Sequence, residues 1–304
     1  MPGGLAATAI FATVIFAAIS GSSPVTVIAI GTIMYPALIN ENYKENFSLG
    51  LLTSAGSLGI IIPPSIPMII YAIVVSTPKY VISVADLFIA GIIPGLLIAL
   101  LLLIYSIITQ KEHTAKTRSS FSFKQFRISF KNGILAIILP VIILGGIYSG
   151  FFTPTEAAAI AVVYTFIVEV FIHKDLKIKQ LPKIIIESTS MMGTLFLIIV
   201  IAISFNQFLA LERIPYHAAI WMKSIVSSPL MFLIIVNIFL LILGCFMDIM
   251  SAILIVAPLL SPMAVEFGID PIHFAIIFIV NLEIGYFTPP MGINLFVASS
   301  IFQK

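Results

Sequence analysis

Apolar residues run along this chain in stretches long enough to cross a bilayer, and polar residues gather into short interruptions between them. A spanning helix takes about 20 predominantly apolar residues. Residues 84–109, 132–150, 156–172, 184–210 and 229–247 fit that pattern. Other apolar stretches are cut in the middle. Residues 3–19 and 25–39 flank Ser20-Gly21-Ser22-Ser23-Pro24, and 47–62 and 65–76 flank Pro63-Pro64. The second half repeats the arrangement. Asp248 precedes a short piece over 249–262, the turn Gly268-Ile269-Asp270-Pro271 follows, and 272–287 and 291–301 flank Pro289-Pro290. Short pieces around a break predict re-entrant hairpins or broken helices rather than simple spans.

The breaks are repeated in chemistry as well as length. Gly59 to Pro63-Pro64 and Gly285 to Pro289-Pro290 are two copies of Gly-x-x-x-Pro-Pro. Ser22 lies 41 positions before Pro63, and Asp248 lies 41 before Pro289. Proline removes a backbone donor and glycine adds no side-chain cover, so each copy should open its helix. Open backbone at membrane depth is tolerated only where it is buried in protein or lines a cavity. Interruptions at matching places in two halves point to the binding site of a secondary transporter.

Smaller signals complete the organisation. Gly91, Pro94 and Gly95 are expected kink points in the 84–109 span. Thr153-Pro154-Thr155-Glu156 is a capping box with Pro at the first helical position. Residues 215–228, with Tyr216, His217, Trp221 and Lys223, read as an interfacial or tilted element. Residues 110–131 hold six basic side chains against Glu112 alone, and the loop after 172 holds Lys174, Lys177, Lys179 and Lys183 against Asp175. The positive-inside rule places both in the cytoplasm and Thr153–Glu156 on the opposite side.

Composition agrees and narrows the chemistry. Of 304 residues, 60% are hydrophobic and 9% charged, against about 25% charged in a soluble domain. The chain is therefore an all-α polytopic membrane protein. The net charge of +2 gives no nucleic-acid signal, because the basic residues cluster beside spans. Cys245 is the only cysteine, which excludes an internal disulfide and a cysteine-based metal site. No pair among the four histidines has metal-ligand spacing, and there is no phosphate-binding loop for ATP hydrolysis.

Two constellations remain. At the first break, Ser20, Gly21, Ser22 and Ser23 supply hydroxyls and bare backbone, and Gly56, Ser57 and Gly59 approach Pro63 from the other side. Broken helices present carbonyls to sodium, and the half-helix from Pro24 aims N–H groups at an anion. At the second, Asp248 lies between apolar runs, with Gly244 before it and Ser251 after. An ionisable residue inside a membrane segment is a functional candidate. The Thr288 hydroxyl and carbonyls of Gly285–Pro289 are expected to join Asp248 around a cation. Asn281, Glu283 and Asn294 lie nearby in sequence. Glu283 is open to two readings, a site residue or a helix end facing water.

Several strings carry a resemblance. They include Pro2-Gly3-Gly4-Leu5, Ser20-Gly21-Ser22-Ser23-Pro24, Leu58-Gly59-Ile60-Ile61-Ile62-Pro63-Pro64-Ser65 and Pro154-Thr155-Glu156-Ala157. Asn281-Leu282-Glu283-Ile284-Gly285 and Thr288-Pro289-Pro290-Met291-Gly292-Ile293-Asn294 complete the set. With them the chain resembles the large membrane subunit of the tripartite ATP-independent periplasmic (TRAP) transporters. The resemblance implies an ion-transporter-superfamily elevator fold with two inverted repeats, re-entrant hairpins and broken helices. It implies a multi-pass protein of the bacterial inner membrane, in contact with lipid. A periplasmic substrate-binding protein would deliver an organic carboxylate, a small membrane subunit would brace the scaffold, and sodium ions would drive uptake without any other cofactor.

By motif, the resemblance puts one sodium site at Ser20–Ser23 with Gly56, Ser57, Gly59 and Pro63. It puts the other at Gly244, Asp248 and Ser251 with Gly285, Thr288 and Pro289. Ser23, Pro64, Ser65, Pro290 and Asn294 are the expected substrate contacts. Family members usually carry further spans before the Pro-Gly-Gly position and after Phe296, so the chain is expected to lack those helices. The expected division is 1–83 (first repeat core), 84–183 (scaffold spans and cytoplasmic loops) and 184–304 (second repeat). Two other functions fit the residues alone: an ion-coupled anion carrier that needs no binding protein, and a membrane-embedded hydrolase using Ser22 or Ser23 with Asp248.

Overall fold

A computed structural model of the chain describes residues 4–76, 81–110, 123–226 and 228–302. Most of the loop expected in the cytoplasm (111–122), the Pro2-Gly3 part of one string and the chain end at 303–304 lie outside the described residues. Those described form α-helices and short connections, with no strand among them. Six helices are long and apolar enough to cross a membrane, or seven if one bent pair counts as a single span.

The chain divides into two compact units, Met1–Phe121 with Pro215–Lys304, and Ser122–Ile214. In the larger unit the first half comprises α1 (Gly4–Ser20), α2 (Ser23–Asn40), α3 (Glu45–Ala55), α4 (Leu58–Ile61), α5 (Ile66–Val75) and α6 (Val84–Thr109). The breaks fall where the sequence places them, at 21–22 and 62–65, with a further one at Gly56-Ser57. The helices on either side of Pro63-Pro64 meet at a bend of 41°. Both Pro63-Pro64 and Pro289-Pro290 are cis.

Helix α6 is one helix through Pro94. Gly91 and Gly95 let it approach the first crossing. A Cβ on Gly91 would stand 2.8 Å from the Ile61 carbonyl oxygen, and one on Gly95 would stand 2.8 Å from the Ile62 side chain. Small residues at such contacts let helix backbones close up, which is how helices associate where lipid supplies no hydrophobic drive.

The smaller unit holds α7 (Phe123–Tyr148), α8 (Pro154–Ile167), a π-helical extension (Val168–His173), a 3-10 turn (Ile178–Gln180) and α9 (Leu181–Leu211). Helix α7 begins nine residues earlier than the apolar run at 132, so its first turns are polar. The capping box forms: the Thr153 side chain accepts from the Glu156 N–H, and Glu156 accepts the Thr153 N–H at 2.8 Å. Tyr164 donates to the Leu135 carbonyl at 2.8 Å and ties α8 to α7.

The larger unit continues with α10 (Ile214–Ile225), α11 (Pro229–Phe246), α12 (Ile249–Glu266), α13 (Pro271–Gly285) and α14 (Ile293–Phe302). Helix α12 runs through Pro262, where the sequence pattern suggested a stop, and ends four residues later. Lys223 at the end of α10 reaches Glu266 at 3.3 Å and lies 5.7 Å over the Phe267 ring. The two halves interlock. Helix α5 packs on α12, α14 on α2, and α13 on α6, with the Tyr71 and Phe278 rings 5.6 Å apart between them. One buried core cluster is drawn mainly from α1–α4, with Ala298 and Phe302 of α14 joining it from the second half.

Candidate functional site

The two breaks are built alike. In the first, α1 ends at Ser20 and the chain turns through Gly21, whose φ of +60° lies in the left-handed region that glycine accepts most readily. Ser22, in extended conformation, precedes α2. The broken helix α4–α5 crosses this tip closely. A Cβ on Gly21 would lie 2.8 Å from the Pro64 carbonyl oxygen, and one on Gly59 would lie 2.5 Å from the Ser22 carbonyl oxygen. The Ile66 N–H, just past Pro63-Pro64, donates to the Gly21 carbonyl at 3.3 Å.

In the second, Gly285 occupies the motif position of Gly59, and a Cβ there would collide with the Gly244 backbone. The Met291 N–H, just past Pro289-Pro290, donates to the Cys245 carbonyl at 3.0 Å. Each motif glycine therefore permits one backbone to cross another. Each segment after the prolines then ties itself to a carbonyl of the opposing tip. Sequence spacing alone could not reveal that shared contact.

Hydroxyls crowd the first tip. Ser20 Oγ lies 2.7 Å from Thr26 Oγ1, and Thr26 donates to the Ser22 carbonyl at 2.8 Å. Thr26 belongs with the tip although the sequence reading passed over it. Its position one helical turn beyond Ser22 was the available signal. Gly56 packs against the Val27 side chain instead of the tip, and Ser57 donates to the Ser54 carbonyl at 2.7 Å. Pro63 is buried, and Ser65, also buried, caps α5 by accepting the Met68 N–H.

The second tip is more open. Asp248 is half-buried and stands as N-cap of α12, its Oδ2 accepting the Ser251 N–H at 3.1 Å. Ser251 thus contributes its backbone to Asp248. The next N–H, on Ile249, goes to the Tyr286 hydroxyl at 2.9 Å. Thr288 is exposed and donates back to the Ile284 carbonyl at 3.1 Å, and Pro289 and Pro290 are exposed. Asp248 and Thr288 are not joined by a direct hydrogen bond among the described residues.

A third cluster bridges the halves. Ser23, at the start of α2, donates to Glu283 Oε1 on α13 at 2.7 Å. Asn294 on α14 donates to Ser23 Oγ at 2.6 Å and to Glu283 Oε1 at 3.0 Å. Glu283 does sit near a helix end, but it is 1% exposed, which excludes the reading in which it faces water. Of the expected substrate contacts, Ser23 and Asn294 are brought together here. Pro64 and Ser65 stay with the first crossing and Pro290 with the second. Asn281 makes a separate link, donating to Asn237 of α11 at 2.6 Å.

Helices interrupted at equivalent points in two halves, with small residues and a carboxylate at the interruptions, define a polytopic α-helical transport protein of the membrane rather than an enzyme. The chain belongs to the DctM component family of the tripartite ATP-independent periplasmic transporters, whose family model matches residues 1–304. It is 46% identical over 299 residues to the C4-dicarboxylate TRAP transporter large permease protein DctM of Pseudomonas aeruginosa, covering 98% of this chain and 69% of that one. It is 34% identical to the sialic acid TRAP transporter large permease protein SiaM of Vibrio cholerae, covering 98% and 69%. With the isethionate TRAP transporter permease protein DctMQ of Oleidesulfovibrio alaskensis the figures are 38%, 99% and 47%. The protein is accordingly a multi-pass permease subunit of the bacterial inner membrane.

Proposed function

We propose that this permease takes up a small organic carboxylate, of C4-dicarboxylate size, by sodium symport and in dependence on a periplasmic binding protein. The observation that carries this reading is the paired construction of the two crossings. A motif glycine in each half admits a backbone crossing, and a residue past each Pro-Pro pair bonds the opposing tip. Backbone bent open around carbonyls and hydroxyls suits a hard cation such as sodium. One coupling ion is assigned to each crossing, at Ser20–Ser23 with Gly59 and Pro63, and at Gly244–Asp248 with Gly285–Pro289. The carboxylate lies between them, toward the N-terminal ends of the half-helices α2, α5 and α14, where positive dipole ends favour an anion. C4-dicarboxylates are favoured because the 46% identical relative is named for them.

The two halves then act as inverted repeats in an elevator-type transport domain, with the spans between them serving as scaffold. A small membrane subunit braces that scaffold. The test is uptake of radiolabelled succinate by proteoliposomes containing the permease, its small subunit and its binding protein. Uptake is expected only with an inward sodium gradient and only with the binding protein present. Full uptake without the binding protein would favour the simpler carrier, and full uptake without sodium would overturn the coupling.

A further inference from the structure

The Ser23–Glu283–Asn294 cluster leaves a buried carboxyl oxygen unanswered. Glu283 Oε1 takes both hydrogen bonds that the cluster offers it, while Oε2 is buried with no partner, and so is Asn294 Oδ1. Glu283 is 1% exposed and Asn294 fully buried. A buried carboxylate oxygen without donor or counter-charge is strongly destabilising, and each such group requires an explanation. Among the described residues no Lys or Arg forms an ion pair with it. No Lys or Arg occurs between Lys223 and Lys304, and the first 43 residues hold none.

We propose that Glu283 and Asn294 bind a monovalent alkali cation, with Glu283 Oε2 and Asn294 Oδ1 as ligands. The Ser23 hydroxyl stands behind them, donating to Oε1. Carboxylate and amide oxygens are hard donors that suit an alkali or alkaline-earth ion and offer nothing to a soft metal. Charge decides between the first two. The cluster contains one carboxylate and two neutral side chains, so a monovalent ion leaves it neutral, whereas a divalent ion would leave a buried net positive charge. Because Ser23 belongs to the first half and Glu283 and Asn294 to the second, the ion would tie the halves together where their helices meet. The site does not depend on either crossing holding sodium. Glu283 belongs to neither tip, and the argument comes from its own unpaired oxygen.

The experiment is equilibrium binding of radiolabelled sodium, and separately rubidium, to the purified full chain in detergent. Wild type is compared with Glu283→Gln, which removes the charge at nearly constant shape. The variant is expected to bind one alkali ion fewer per chain. Its unfolding midpoint in choline medium is expected to exceed that of wild type in the same medium, because the unpaired charge is gone. Equal ion counts and affinities in the two proteins, for both ions, would overturn the proposal and leave the charge to be met by a proton. If Glu283→Gln does not fold, Glu283→Asp decides. Keeping the charge while withdrawing the oxygens should weaken ion affinity on the order of tenfold, and unchanged affinity would overturn the site. Neither result bears on sodium dependence of uptake through Asp248, so the two proposals can fail separately.

Discussion

The residues that shape this protein do so mainly by what they lack. Gly59 and Gly285 carry no Cβ, and each stands where a Cβ would strike the backbone of the opposing tip. Overpacking of this kind costs about 1–3 kcal/mol, and a carbonyl cannot rotate aside as a side chain can. Gly59→Ala and Gly285→Ala should each lower the thermal unfolding midpoint in detergent, while Gly50→Ala, which meets nothing within 4 Å, leaves it unchanged or slightly raised. Equal behaviour of all three would show that the close crossings do not constrain the fold. At the first tip the Ser20 and Thr26 hydroxyls share a contact and the Ser22 carbonyl accepts from Thr26. Ser22→Ala keeps that carbonyl in place, so uptake should show only a mild loss of apparent sodium affinity. A complete loss would assign the ion to the Ser22 side chain. Both motif glycines were legible from the sequence because Pro-Pro follows each at a fixed distance. The burial of Glu283 was not, because its partners Ser23 and Asn294 lie 260 and 11 positions away.

At the scale of elements, apolar runs and breaks located nearly every helix, because a helix in lipid must satisfy its own backbone and polar residues mark where it stops. One departure has a clear cause. Helix α12 passes Pro262 because neighbouring helices hold it, so a single proline does not end a packed helix. The crossings open where Pro-Pro, glycine and an opposing tip act together. The side-chain partners of Asp248 were less legible. The Ser251 N–H takes one carboxylate oxygen of Asp248, and the Thr288 hydroxyl turns back on its own helix, contacts that sequence proximity alone does not specify. Orientation follows from the basic loop at 174–183 and the capped turn at Thr153. In a Cys245→Ala background, a cysteine at Asp175 should react with a membrane-impermeant maleimide only from the cytoplasm, and one at Phe151 only from the periplasm. The reverse pattern, or one shared side, would contradict that orientation.

For the whole molecule, the two halves are interlocked rather than sequential: α5 lies on α12, α14 on α2, and Ser23, Glu283 and Asn294 close the contact. An ion bound at either crossing therefore acts on a core built from both halves, which is what coupling one solute to another requires. Sodium at the broken helices is the proposed coupling ion. Asp248 offers a clean handle, because aspartate and asparagine are equally good N-caps. Asp248→Asn keeps the bond to the Ser251 N–H and removes only the charge, whereas alanine would also cost about 0.5–2 kcal/mol of capping. The decisive measurement is the sodium dependence of succinate uptake at fixed pH, in the assembled system, for wild type and Asp248→Asn. The variant is expected to insert and unfold like wild type in sodium-free medium but to need severalfold more sodium for half-maximal uptake. Superimposable sodium curves for the two proteins would contradict coupling through Asp248.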